Sequence, residues 1–501
     1  MKKNTLDSFI VASNSIDIGR VLSILGIFLL VLGLSVFFGL LASTANPVFV
    51  TIGAGLLVGP LLLAKPDWNI WVILLSGLLV AGVLPLWVDW LASKAIWGIS
   101  LLAFMLMLSA LFMAVCKPET VRSTPAFVWL ALAFMMFTLI NSLAQWSSFY
   151  ELASGFKRYF QVIGLLFAFA WLGFTERQIR LWRVFFLIVA ITQLPWAVYE
   201  LVELVPMREG IQFSYPGLVP IDVVAGTFGA NKYGGGASGE MAAFLIIVLA
   251  FLMAHRREKL LGLRKYLLLL PPVLAPLFMG ETKVVIILLP LMFLILFRKE
   301  LISRPLYAIF MLVIASALTV GAGYAYLNSI KEQDLDKLVA GTLSYNVGEK
   351  GYGGYILNRT TVLTFWAEKQ GMHDPVSAVF GNGLGSAQEG SGGSLAQRYR
   401  GYGISLTAAS SLLWEQGSFG TLLFLSMLAC AWRTAGKLQR EVTQPWIRAD
   451  AAAIQAILPL FAFYLFYRLA LLENLPFQIV FYSLLGYLAW LYRRHIIDSS
   501  A

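Results

Sequence analysis

Residues 124–143 read TPAFVWLALAFMMFTLINSL, twenty positions without a charge. At 1.5 Å per residue this is about 30 Å of helix, the thickness of the hydrocarbon core of a bilayer. Comparable runs recur along the chain. Fourteen are read, at about 21–42, 46–64, 70–88, 95–115, 124–143, 159–174, 184–203, 237–254, 266–280, 284–297, 305–326, 405–430, 451–467 and 477–492. The runs at 266–280 and 284–297 also read as one broken or re-entrant pair, so 12–14 transmembrane helices are expected. The run from Val21 is too long for the apolar region of a signal peptide and reads as the first span.

Composition agrees. Of 501 residues, 59% are hydrophobic and 13% charged, against roughly 45–50% and ~25% in soluble domains. So few charges cannot cover a soluble surface of this size. The expected fold is an all-α polytopic membrane protein. A cytosolic enzyme, a nucleic-acid-binding module and a secreted disulfide scaffold are excluded. The net charge of +10 therefore reads as cationic loops that orient the chain, not as a nucleic-acid surface. Cys116 and Cys430 both fall at span ends on the side read as cytoplasmic, so no disulfide or metal site follows from them. Three histidines without metal-ligand spacing imply no zinc.

Lysine and arginine assign the sides. With the amino terminus cytoplasmic, 23 of the 37 Lys and Arg residues fall on the cytoplasmic side. Of the other 14, seven sit in one long loop, which the positive-inside rule does not count. Both termini are then inside. Four segments result: 1–150 and 151–326, holding the N-terminal and central spans, a loop at 327–404, and 405–501 with the last spans. The loop, between spans 11 and 12, has 78 residues, seven acids against seven bases, and fourteen glycines. A connection this long usually has a function. One part of it predicts a helix: Asn358 can cap it, Val362, Phe365, Trp366 and Lys369 share a face, and Gly371 can end it. A second external loop, about 204–236, carries Gly226-Thr227-Phe228-Gly229-Ala230-Asn231-Lys232-Tyr233-Gly234-Gly235-Gly236. It reads either as a plain turn or as an entry whose backbone amides face a ligand.

Charges near or inside spans are costly and usually have a purpose. On the external side these are Lys157, Arg158, Glu240, Glu281, Lys283, Glu415, Arg468 and Glu473, and the loops add Arg208, Lys232, Arg359, His373, Arg398 and Arg400. Cations dominate, which suits an anionic substrate such as a diphosphate or a phospholipid headgroup. Each residue also has a plainer reading. Lys157 and Arg158 can snorkel to the interface. Glu281 with Lys283 can close a turn. Arg468 with Glu473 reads best as a structural pair. His373, before Asp374-Pro375, reads best as a turn residue.

Several of these positions form an ordered set. Arg359 opens the helix that carries Trp366. Pro375 leads to Gly381-Asn382-Gly383-Leu384-Gly385, and the next span holds Glu415-Gln416-Gly417-Ser418-Phe419-Gly420. Upstream lie Gly226-Thr227-Phe228-Gly229-Ala230-Asn231, Glu281-Thr282-Lys283 and Arg158. Over about residues 150–490 this order resembles the O-antigen ligase and polymerase (Wzy-like) family of bacterial polysaccharide enzymes. Two departures stand out. Where ligases carry His-Asn before the glutamate, this chain has Ser405-Leu406-Thr407-Ala408, and Lys283 stands where the family has arginine. The missing histidine favours a polymerase.

The resemblance implies a GT-C-like glycosyltransferase on the periplasmic face of the bacterial inner membrane. It would join polysaccharide repeats carried on undecaprenyl diphosphate, for exopolysaccharide, capsule or O-antigen. It implies no metal and no cofactor. Arg158, Lys283 and Arg359 would bear on the departing diphosphate, with Glu415 or His373 as base. Trp366 or Tyr399 would stack on a sugar. Lys157, Lys232, Arg398 and Arg400 would add positive charge around the substrate. The expected partners are the lipid-linked glycan and membrane lipid, with a chain-length regulator as a candidate and no nucleic acid. A ligase-type glycan transferase and a lipid-linked-oligosaccharide flippase or transporter are the alternatives, and a structural subunit of an envelope assembly is a third.

Overall fold

The structure is a computed structural model. It describes residues 59–306 except 147, 215–217 and 281, then scattered positions to 349, and 350–500 except 353 and 391, with residues 33 and 36 besides. The chain divides into two compact units, Met1–Lys65 and Pro66–Ala501. In the first, the described stretch is the helical segment 59–64. All that follows concerns the second. Most of the expected spans at 21–42, 46–64 and 305–326 lies outside the described residues.

The second unit is helical, with no strand among the described residues. In chain order the principal helices are α1 (Pro66–Leu75), α2 (Asp89–Cys116), α3 (Ala126–Ala144), α4 (Phe149–Phe160), α5 (Gly164–Trp171), α6 (Glu176–Tyr199), α7 (Ser238–Arg257), α8 (Leu263–Met279) and α9 (Thr282–Leu296). The long loop contributes α10 (Thr361–Trp366) and α11 (Pro375–Phe380). Then come α12 (Ala408–Glu441), α13 (Pro445–Tyr467) and α14 (Leu475–Ser500). Seven helices among the described residues are long and apolar enough to cross a membrane: α2, α3, α6 with its continuation to Ile211, α7, α12, α13 and α14. This is the architecture of an all-α, multi-pass membrane protein.

The apolar stretches of α7, α13 and α14 are 89%, 78% and 94% buried, whereas those of α2 and α6 are 33% buried. The first three therefore form the centre of the bundle, and the others present a broad apolar face outward, as lipid requires. Every residue of α5 is buried. Lipid is as apolar as leucine, so helices here associate through close packing and small residues. Gly164 shows this. A Cβ on it would lie 1.9 Å from the carbonyl oxygen of Ala103 on α2.

One expectation changes beside that crossing. The run at 159–174 predicts one span. The structure instead ends α4 at Phe160, turns through 161–163 and restarts as α5. The expected segment boundary at 150/151 falls inside α4, two residues after the helix begins. The spans at 266–280 and 284–297 appear as two consecutive helices, α8 and α9.

A polar knot ties the centre together at the end of the bundle where α6, α12 and α14 meet their charged termini. Asp450 of α13 is fully buried. Its carboxylate meets Arg183 of α6 at 3.0 Å, His255 of α7 at 2.7 Å and the hydroxyl of Tyr487 of α14 at 2.5 Å. Four helices thus share one carboxylate. A buried charge survives only with such partners.

Candidate functional site

The long loop packs on the far end of the bundle, and two sequence motifs make the joint. The chain through Gly381–Gly385 lies against the start of α12. Asn382 N–H donates to the Trp414 carbonyl at 3.0 Å, and Gly383 N–H to the Glu415 carbonyl at 2.9 Å. Leu384 N–H donates to Ser142 Oγ of α3 at 2.8 Å, and Asn141 Nδ2 to the Phe380 carbonyl at 2.7 Å. The close approach requires glycine at two places. Gly417 bends α12 with φ +64°, and a Cβ there would sit 2.3 Å from the Val379 oxygen. Gly381 has φ +81°, and its Cβ would sit 2.4 Å from the Glu415 carbonyl. Any residue with a side chain is strained in that left-handed conformation. The two glycine motifs are therefore the two halves of one backbone seam.

Beside the seam lies a cleft of about 470 Å³. One wall is α4. Ser148 caps this helix by accepting from Glu151 N–H at 3.1 Å. Tyr150, Ser154, Lys157 and Arg158 line the cleft, a spacing that puts all four on one helical face. The other face, Glu151, Gly155 and Tyr159, is buried. Glu151 accepts from the N–H and Oγ of Ser394, both at 3.2 Å. Trp97 of α2, Tyr355 and Glu389 of the loop, Ser405, and Glu473 before α14 complete the main lining.

Electrostatics in the cleft is balanced. Arg158 Nη2 meets Glu473 Oε2 at 2.8 Å. The arginine is largely enclosed (11% exposed) and the glutamate opens to solvent (59%). Gln161 Nε2 donates to the Glu473 carbonyl at 3.1 Å, and Gln478 Nε2 to the Arg158 carbonyl at 2.8 Å. The end of α4 is thus pinned to the α13–α14 turn. Lys157 Nζ lies 5.4 Å from the Trp97 ring centre. Burial pushes the lysine below its ordinary pKa, with Glu473 opposing and Arg158 adding to the shift. Tyr355 donates to Glu389 Oε2 at 3.2 Å; burial and that carboxylate raise its pKa. The cleft therefore offers two cations for an anion, two carboxylates able to take a proton, and aromatic faces for a flat partner.

Arg158 and Lys157 are the sequence-selected residues that line this cleft. Glu473 also lines it, but with a different partner from the one expected: Arg468 turns away to Glu240 Oε2 at 3.2 Å and the Gly236 carbonyl at 3.3 Å. The reason is local. Arg468 ends α13 in an extended conformation, which aims its side chain at the start of α7.

The other selected residues lie elsewhere. Arg359 sits between the rings of Tyr352 and Tyr467, 4.3 and 4.4 Å from their centres, and donates to Asn346 Oδ1. Glu415 is fully buried behind the seam, where Oε1 accepts from Ala387 N–H at 3.2 Å. Trp366 and Tyr399, with Phe365 and Tyr402, pack against a small core of Leu357, Val362, Leu395, Ile404 and Trp414 of α12; Tyr399 packs on Phe365 at 5.3 Å and Trp414 at 5.5 Å. Arg398 and Arg400 are exposed on either side of Tyr399. His373 is exposed beside Asp374, which caps α11. Hydrogen bonds from Ser377 hold the Asp374 carboxyl below its usual range. Lys283 is half-buried in the first turn of α9, and Glu281 lies outside the described residues.

Lys232 is half-buried in the glycine-rich loop before α7. The backbone amides at the head of that loop already have partners. Ala225 and Gly226 N–H donate to Glu200 Oε2 at 2.8 and 2.7 Å, and Thr227 N–H to Gln193 Oε1 at 2.9 Å. Arg208 Nη2 holds the Gly234 carbonyl at 2.6 Å. At those positions the plain-turn reading is the one the geometry follows.

The helix expected at the head of the loop is present. Asn358 Oδ1 accepts from Thr360 and Thr361 N–H at 3.0 and 2.9 Å, and the last turn widens to end at Gly371. The sequence reading missed Trp97, Tyr150, Tyr355 and Glu389. The spacing of 150, 154, 157 and 158 was a usable signal; the loop residues carry none, because folding alone brings them to α4. The chain matches no protein-family model and no curated protein.

Proposed function

We propose that this protein is a GT-C-like glycosyltransferase with 12–14 transmembrane helices that polymerises undecaprenyl-diphosphate-linked polysaccharide repeats at the periplasmic face of the bacterial inner membrane, with both termini cytoplasmic. The observation that carries this reading is the shared wall of Lys157 and Arg158 in a cleft roofed by the long loop. Positive charge placed where a diphosphate leaves is the main catalytic requirement of such a transfer. Arginine can grip phosphate oxygens in a two-pronged way, and lysine adds a point charge.

The transfer balances without outside reactants. A hydroxyl oxygen of the acceptor sugar bonds to the anomeric carbon of the donor glycan. The bond from that carbon to the diphosphate oxygen breaks, and undecaprenyl diphosphate leaves with the electron pair. The hydroxyl proton passes to a base. Glu415 and His373, the candidates named from sequence, lie outside the lining of the cleft. Glu389 is in it, and we assign the base to Glu389. Glu473 holds Arg158 until the diphosphate competes for the guanidinium. Trp97 and Tyr355 offer ring faces to the sugars.

The test is a deletion strain whose lipid-linked glycans and surface polysaccharide are extracted and sized. The reading expects single lipid-linked repeats and no long polymer. Long lipid-linked polymer that never reaches its acceptor would instead mean a ligase. Repeats trapped on the inner leaflet would mean a transporter.

A further inference from the structure

At the opposite end of α14 lies a second cleft, of about 290 Å³, for which the glycan reading has no use. Phe174, Trp490 and Ile497 give it apolar walls, and Arg493 and Arg494 enter it as well. From Leu475 to Arg493 the helix rises about 27 Å, close to the ~30 Å of a bilayer core. The two clefts thus sit at the two ends of one membrane-length helix.

Cations outnumber acids here. Arg494 and Arg180 both meet one carboxylate, that of Glu176, at 3.4 and 3.3 Å. Arg493 donates through Nη1 to the Ala170 carbonyl, and its buried Nε has no hydrogen-bond partner among the described residues. The indole of Trp490 donates to the Phe174 carbonyl at 3.1 Å, which fixes the apolar wall. Ile497, at the mouth, is 54% exposed.

We propose that this cleft binds the headgroup of an anionic phospholipid. The phosphate would sit between Arg493 and Arg494, and the apolar part of the lipid would lie toward the bilayer, against Phe174 and Trp490. Paired arginines beside a tryptophan, at the end of a spanning helix, have the chemistry of an interfacial lipid site. A soluble phosphate would use the arginines and leave the apolar walls without a role.

The experiment uses purified full-length protein in detergent. Phosphatidylglycerol, phosphatidylcholine or inorganic phosphate is added, and bound lipid is read by native mass spectrometry alongside the melting temperature. Phosphatidylglycerol is expected to stay bound and to raise the melting temperature, while the other two do neither. Arg494→Gln should weaken phosphatidylglycerol binding about fivefold, the value of one near-surface cation. Phe174→Ser, which removes an apolar wall and adds no charge, should weaken it at least as much. Arg264→Gln, an exposed cation at the start of α8, should leave it unchanged. Arg493 also holds a backbone carbonyl, so the test rests on Arg494 and Phe174. Equal response to both lipids, equal stabilisation by inorganic phosphate, or unchanged binding in Arg494→Gln and Phe174→Ser would overturn the proposal. None of these outcomes touches the reading of the first cleft.

Discussion

Arg158 and Glu473 stand 315 positions apart in the chain and 2.8 Å apart in the fold. Their ion pair joins the helix that carries the cations of the cleft to the turn that opens α14. It makes Arg158 a positioned cation, enclosed on most sides and open toward the cavity.

If Arg158 bears on a departing diphosphate, Arg158→Ala should lower polymer formation about 10²–10³-fold, as removal of a transition-state donor does. Membrane insertion and protein level should stay normal. Polymer yield scored against immunoblot level checks this. Glu473→Gln should cost less than Arg158→Ala, and the two effects should not add, because residues in one network couple. Additive losses would place Glu473 outside the pair's function.

Lys157 gives a pH-dependent stability. Its folded pKa lies below the ordinary lysine value because burial disfavours the ammonium. Between those two values the unfolded chain binds more protons than the folded one, so stability rises with pH across that window. Lys157→Met should melt higher than the wild type below the window, and the gap should narrow as pH rises through it. Melting curves of both proteins in detergent across alkaline pH test this; a gap that widens with pH refutes it.

The seam between the loop and α12 is sensitive to a single methyl. Gly417→Ala places a Cβ 2.3 Å from the Val379 oxygen and keeps φ at +64°. A positive φ with ψ near 180° is essentially confined to glycine and costs roughly 1–3 kcal/mol for any other residue, before any clash. The variant should still insert, but the loop should become sensitive to limited proteolysis near Gly381. A protected loop would mean that the seam tolerates displacement.

Asp450 is the strongest candidate for a stability role. Asp450→Ala strands Arg183 and leaves His255 and Tyr487 without their shared acceptor. Breaking a buried pair by removing one partner costs about 3–5 kcal/mol. Thermal unfolding followed by size-exclusion chromatography should show an earlier loss of the monodisperse peak. Substrate binding at the first cleft, measured below that temperature, should persist.

Sidedness has a direct check. Met372 in the loop is 79% exposed, and Cys116 is exposed at the end of α2. With a cysteine at Met372, a membrane-impermeant thiol reagent should label the loop in outer-permeabilised cells. Cys116 should label only after the inner membrane is opened. The reverse pattern would invert the assigned orientation.

Much of this was readable in the chain. Uninterrupted runs such as 124–143 announce helices by length alone, and the Asn358 cap and the Gly371 stop follow local rules. Other features were not readable, for physical reasons. The break between α4 and α5 comes just before Gly164, which packs on the Ala103 carbonyl, 61 residues distant in sequence. Arg468 and Glu473 are near neighbours in the chain, yet the turn between them sends each to a different helix. Trp366 and Tyr399 look like sugar platforms because exposed aromatics often are; here they pack on a small core of Leu357, Val362, Leu395 and Ile404, a grouping that only folding brings about. Asp450, in the second turn of α13, carried a signal that went unused, a carboxylate next to a long apolar run.

The seam also sets an order of assembly. Its acceptors are Trp414 and Glu415 on one side and Ser142 on the other. During synthesis Ser142 emerges early, and the glycines of the loop much later. Until residue 415 has been made, the loop has only half of its landing place. A nascent chain therefore carries Lys157 and Arg158 well before the roof over them exists. The lining is complete only when Leu469 and Glu473 have been made, so a chain cut short before the turn between α13 and α14 would lack the carboxylate that holds Arg158.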